Sequence, residues 1–312
     1  MDLKHLQALV GIADTGSFSA AAEAIGTVQS NVSAHVARLE RELEVALVDR
    51  STGRLTEEGE VVVARARRMM AELDAMRADV AAMSHDVSGT VRVGMIGTTG
   101  RWLVPILFDH LRDRYPRITM TVADGTSATL EPRLVSGQLD LAVVTMPVPG
   151  DELSASPLFE EDLMLVVGNG HPLAAEVPPD EPLPIKALSD LELLLPMPGT
   201  ALREEIDAAV QPSGVTLRPS MELDGLRMIA SLTFDGHGPA ILPASAIPGH
   251  LRDRFRLLPL EGFPRRRVGV ALRSRGLPSA PARAVIDLLY VVVQDPGPLP
   301  DGLHPALSTR AH

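Results

Sequence analysis

Apolar side chains at positions 3, 6, 9, 10 and 13 of LKHLQALVGIAD fall on one face of a helix. Ser17 is placed to cap a second helix running through Ala24, whose small residues permit close packing. A turn at Gly26 leads to a third helix beginning near Val28. Val32, Val36, Leu39 and Leu43 form its apolar stripe, and Asn31, Ala34, His35 and Arg38 form the opposite face. Leu47 and Val48 open a short hairpin that turns at Ser51-Thr52-Gly53 and returns through Arg54-Leu55-Thr56. Thr56, followed by Glu57, Glu58 and Glu60, starts a long helix whose positive end suits those acids. It runs to about residue 83, roughly 40 Å at 1.5 Å per residue. Leu73, Met76, Val80 and Met83 lie along it at spacings of 3, 4 and 3, a seam for a second helix. This pattern predicts a winged helix-turn-helix, a shape that lays one helix in the major groove of DNA.

From Gly89 the period changes. Strand TVRVGMIG, a helix at 102–115, strand ITMTVAD, a helix at 128–138 and strand LDLAVVT alternate. That alternation predicts a doubly wound parallel sheet. DLMLVVG, ALREEIDAAV, VTLRPSMEL, GLRMIASLTF and PAILP build a second α/β lobe. RRVGVALRS and PARAVIDLLYVVVQ are a late strand and helix free to return to the first. The expected class is α+β. A DNA-binding domain at 1–58 is followed by a linker/dimerisation helix and hinge at 59–88, with HDVSG as the hinge. An effector domain at 89–294 has lobe 1 at about 89–160 and 268–294 and lobe 2 at about 161–267. The Pro-rich tail, 295–312, is expected to be disordered.

Composition narrows the classes. Of 312 residues none is cysteine, which removes disulfide frameworks and Cys-based zinc sites. The nine histidines are scattered, no metal-ligand cluster is evident, and SxxK, GxSxG, HExxH and GxGxxG are missing. No catalytic residue, metal or cofactor is expected. Neither a signal-peptide pattern nor about 18 uninterrupted apolar residues occurs, so a cytoplasmic protein without membrane contact is expected. The net charge of −11 is unusual for a DNA binder, and residues 1–60 carry five basic against ten acidic side chains. Screening beyond about 8 Å makes local placement decisive. From Thr27 to Leu39 there is no acid, and Arg38 lies there.

DLKHLQALVGIADTGSFSAAAEAI, VQSNVSAHVARLERELEVALVDR and LTEEG resemble the LysR-type transcriptional regulators. So do GTVRVGMIG, LVPILFDHLRDRYPRI, DG with SGQLDLAVVT, and DGHGPAILP, over about residues 1–290. The resemblance implies a dimer or homotetramer paired through the linker helix. It also implies a two-lobed effector domain like a periplasmic binding protein, with inducers between the lobes. The chain departs from the family at Val28-Gln29-Ser30, where Ser-Gln-Pro is frequent. It also departs at Ala34, where a basic residue is common, and at Val48, where Phe is common. Since Val28 cannot cap, Thr27 is expected to cap one position earlier.

Base reading needs paired donors and acceptors on the exposed helix face. Gln29 suits adenine, and Arg38 suits phosphate or guanine. Ser30, Asn31, Ser33 and His35 add single contacts; Arg50 and Arg54 reach phosphates or the minor groove. The competing reading is a solvated face on a three-helix bundle. For the effector, Thr98 and Thr99 precede the helix at 102, Thr126 and Ser127 the helix at 128, and Thr200 the helix at 201. Helix starts attract anions, and such starts lie at the carboxyl edge of the strands. The alternative is that Thr98, Ser127 and Thr200 only cap their helices. Thr145, Arg101 and His237 are further candidates, the last two also readable as solvent-facing. The expected partners are an operator duplex, a small anionic metabolite, a second copy of the chain, and RNA polymerase if the protein activates. The alternatives are a cytoplasmic solute-binding protein and an oligomeric DNA binder without an effector.

Overall fold

A computed structural model describes residues 1–83, 87–178, 181–294 and 299–306. Contacts divide the chain into two units, the N-terminal helices forming the heart of one and the two sheets the other. In the first, α1 (Leu3–Thr15), α2 (Phe18–Ala24) and α3 (Gln29–Leu43) enclose Leu9, Ile12, Ala21, Val32, Val36 and Leu39, all nearly inaccessible to solvent. α2 approaches α1 closely, so that a Cβ on Gly11 would stand in contact with the Ala21 methyl at 3.4 Å. Asp2, Ser17 and Thr56 each cap a helix by accepting a backbone N–H. Thr56 opens α4 (Glu57–Ala82). The hairpin before it is a single bridge, Val48 to Leu55, closed by Gly53 at φ +72°. Gly59 admits no side chain, because a Cβ there would overlap the Leu47 carbonyl.

The first sheet has order β11-β4-β10-β3-β1-β2. Its strands are β1 (Gly89–Ile96), β2 (Ile118–Gly125), β3 (Leu141–Thr145), β4 (Leu153–Glu161), β10 (Arg266–Arg273) and β11 (Leu303–Pro305). β1, β2 and β3 are parallel and joined through α5 (Gly97–Arg114) and α6 (Ser127–Val135), the βαβαβ pattern expected. β3 is buried on both faces from Leu141 to Val144, as a covered parallel strand must be. The sheet as a whole is mixed, which corrects the all-parallel expectation: β10 runs antiparallel to β3 and β4. β4 itself was hidden by Pro157. The structure accommodates that proline opposite Gly269 at a shift in the β4–β10 register, where a missing N–H is tolerated.

The second sheet is β7 (Arg218–Leu223), β6 (Glu192–Pro196), β8 (Ala240–Pro243), β5 (Leu163–Gly168) and β9 (Phe255–Pro259), in that order. Leu165, Val167, Leu193 and Leu195 face one core with Ile206 of α8 (Ala201–Val210). Val166, Leu194, Ala240 and Leu242 face the other with Ile229 of α9 (Leu226–Phe234). A short helix, α7 (Pro172–Glu176), follows β5. The last helix, α10 (Ala280–Gln294), buries Leu288, Leu289 and Val292.

Three further expectations change. α5 begins at Gly97 rather than 102, because burial of Thr98 and Thr99 winds the GTTG segment into its first turn. α6 ends at Val135, and Gly137 at φ +80° follows it. The tail expected to be disordered supplies β11, held by the buried Leu303 and by pairing with β4; residues 295–298 and 307–312 lie outside the described residues. The HDVSG hinge is described from Val87 on; His85 and Asp86 lie outside the described residues.

Candidate functional site

On α3, Val28 takes the N-cap position without a side-chain bond. Thr27 does not replace it: its hydroxyl accepts from the Asn31 amide at 3.0 Å. Gln29 and Ser30 are exposed, and the Gln29 carbonyl accepts from Ser19 at 3.0 Å, leaving its amide N–H pair to donate. Arg38 is exposed and 3.5 Å from Glu42. His35 leaves the outward face, its ring packing 5.3 Å from that of the buried His5 on α1. Arg41 was missed by sequence reading. It is exposed on the same face as Ala34, seven residues earlier, and that spacing was the available signal.

The wing is tied to α3 through Glu40. Its carboxylate accepts from Leu47 N–H at 3.0 Å and Val48 N–H at 3.3 Å, and pairs with Arg50 at 2.9 Å. Partial burial acts to raise its pKa, but the Leu47 N–H, the guanidinium and the Val48 N–H outweigh it and hold the carboxyl below its usual range. Arg50 also donates to Ser33 at 3.4 Å and lies over the Phe18 ring. It is therefore a brace as well as a surface cation. Arg54, across the turn, is exposed, and no ion pair holds it among the described residues.

In the second unit the hydroxyl-bearing residues are not equivalent. Thr98 and Thr99 are buried, and the Thr99 hydroxyl has no hydrogen-bond partner. Thr126 is exposed, its N–H donating to the Thr129 hydroxyl at 3.0 Å. Ser127 accepts from the Thr145 N–H at 3.0 Å, and the Thr145 hydroxyl accepts from Arg266 at 3.0 Å. Thr200 donates to the Met197 carbonyl at 2.8 Å, so the first amides of α8 receive no side-chain cap. His237 is exposed in its turn, and Arg101 follows Thr98 and Thr99 on α5, exposed and beside Trp102.

Sequence reading also missed two ion-pair groups. Arg266 pairs with the fully buried Glu161 at 3.0 Å and with Glu205 of α8 at 2.9 Å, linking strands of the first sheet to a helix on the second. Burial pushes the Glu161 carboxyl up, and Arg266 opposes it. Asp124, at the end of β2, pairs with Arg227 of α9, again across the two sheets. Among the described residues no helix is long and apolar enough to cross a membrane, and no cluster of three or more potential metal ligands occurs.

Residues 3–60 match the model of the bacterial regulatory helix-turn-helix proteins of the lysR family, and residues 84–291 match the LysR substrate binding domain. The chain belongs to the LysR family. It is a LysR-type DNA-binding transcriptional regulator with an effector-binding domain. A probable hydrogen peroxide-inducible genes activator of Mycobacterium leprae is 32% identical over 289 residues, covering 91% of this chain and 92% of that one. Full-length OxyR of Pseudomonas aeruginosa, carrying a cysteine-to-aspartate substitution, superposes with a TM-score of 0.74 at 26% identity, covering 94% of each chain. The LysR-type CbnR in complex with its target DNA shares the fold, with a TM-score of 0.64 at 19% identity over 94% of this chain and 99% of that one.

Proposed function

We propose that the outward face of α3 reads an operator through Gln29, Ser30, Asn31, Ser33 and Arg38. Arg41 and Arg54 hold phosphates, Arg50 braces the wing, and His35 supports α3 from its flank. The exposure of that acid-free segment beside the braced wing carries this reading. Two chains pair along the exposed Met76 and Val80 of α4 and Met83 at its C-cap.

The signal is a small anion bound reversibly between the lobes, at the starts of α5, α6 and α8. Relatives are named for induction by hydrogen peroxide. This chain has no cysteine, so thiol oxidation cannot carry its signal. The observation that favours an anion is the start of α8, where a negative group meets N–H groups that no side chain caps. Calorimetry of the full chain against small carboxylic acids tests this. Binding is expected for at least one aliphatic acid and is lost in Ala201→Asp, which puts a negative charge into the first turn of α8. Binding only of neutral or aromatic compounds, or the lack of any aliphatic acid whose binding Ala201→Asp abolishes, overturns the reading.

A further inference from the structure

A recess of about 260 Å³ shares only Arg101 with the cleft candidates. Its walls are Arg101 and Trp102 in the first turns of α5, Ser245 and Ile247 after β8, Arg252 further along, and Leu303 of β11. His250 stands at its rim, exposed. The floor is built: Ser245 is only 3% exposed, yet its hydroxyl has no hydrogen-bond partner. The Nε–H of Arg252 is likewise buried and unpartnered, while its other nitrogens donate to the carbonyls of Ala244 at 3.3 Å and Asp301 at 3.4 Å.

Charge in the recess is lopsided. Arg101, Arg252 and, when protonated, His250 are positive. The Asp301 carboxylate is 3.7 Å from Arg252 but 86% exposed, so water screens it. Glu161 lies behind Ser245, accepting its N–H at 3.2 Å, but its charge is taken up by Arg266. Burial lowers the Arg252 pKa, and Asp301 offsets this only in part, as expected for a guanidinium short of anionic partners. Beside these cations part of the wall is apolar. The Trp102 indole is fixed edge-on against Phe159 at 5.3 Å, and Ile247 and Leu303 are buried beside the recess.

We propose that this recess is a second ligand site, taking a small carboxylate with an apolar body. The carboxylate lies between Arg101 and Arg252 within reach of the Ser245 hydroxyl, and the body lies on Trp102 and Leu303. One cationic end and one apolar side favour such an acid over inorganic phosphate, which would leave the apolar wall wet. The walls come from both lobes: α5 and β11 belong with the first sheet, and the turns after β8 with the second. Occupancy therefore ties the lobes together, a direct route for a second signal to bias the effector domain.

The chain has one tryptophan, and it stands in the wall of this recess, so its fluorescence reports occupancy there. The full-length protein is titrated with cyclohexanecarboxylate at constant ionic strength, with phosphate and chloride as comparators. A saturable change is expected with cyclohexanecarboxylate only. Its midpoint should weaken at least about tenfold in Arg101→Gln and Arg252→Lys, the scale of one charged hydrogen bond. Arg101 is exposed, so Arg101→Gln carries the test should Arg252→Lys lower the melting temperature. The response should persist in Ala201→Asp, which separates this site from the cleft. A drift without saturation, an equal response to phosphate or chloride, survival of the response in Arg101→Gln, or its loss in Ala201→Asp would each overturn the proposal.

Discussion

Glu40 decides where the wing's cation is held. One side chain gathers two N–H groups of the hairpin and the Arg50 guanidinium onto α3. The lowered carboxyl pKa sets the sign of the pH response. The stabilisation is complete above the ordinary carboxylate range and is lost as pH falls through the lowered value. Glu40→Gln should cost about 1 kcal/mol at neutral pH, a modest figure because Arg50 is half-exposed and screened. Thermal unfolding of the two proteins should converge as pH falls through that lowered value; parallel curves over the whole range would contradict this role. Local chemistry of this kind was legible when both partners were close in sequence. The Ser17 and Thr56 caps are read directly from residues three positions on. Thr27 failed as a cap because Asn31 occupies its hydroxyl, and Arg266 was invisible because Glu161 is 105 residues away.

At the scale of elements, α4 is the one most incomplete by itself. Met69, Met76, Val80 and Met83 are more than half exposed along it, at spacings of 7, 4 and 3. Water contact over such a stripe is unfavourable by about 25 cal/mol per Å², which a second helix removes. Met76→Glu combined with Val80→Glu should reduce the species seen by sedimentation to half its mass or less, with helix content retained. An unchanged mass would place the interface elsewhere. Helices with strong periodicity, such as α1, α3 and α4, were legible because burial and period agree. β4 was not, since Pro157 argues against a strand until a register shift in the partner strand is known. β11 was not, because three residues among prolines and glycines carry no period; only their pairing with β4 orders them. The start of α5 was misread because Gly and Thr signal a turn locally, whereas packing against the end of β1 decides the matter.

At the scale of the whole molecule, a chain of net charge −11 binds a polyanion. Location resolves this: Arg38, Arg41 and Arg54 are exposed on α3 and the wing, while Glu40 is paired with Arg50. The acidic remainder should suppress binding to random DNA. The two-domain regulator was legible because seven motifs agree with one another. The cross-lobe ion pairs were not, because each joins residues that only the folded effector domain brings together. The most direct test is the affinity of the full-length protein for a labelled fragment of the DNA beside its own gene, measured across a salt titration. The wild-type protein should bind specifically. Arg54→Ala should lower affinity and reduce the salt slope by about 1, and Gln29→Ala should lower affinity by about 1–3 kcal/mol with the slope unchanged. Wild-type affinity and slope in both variants would contradict the account.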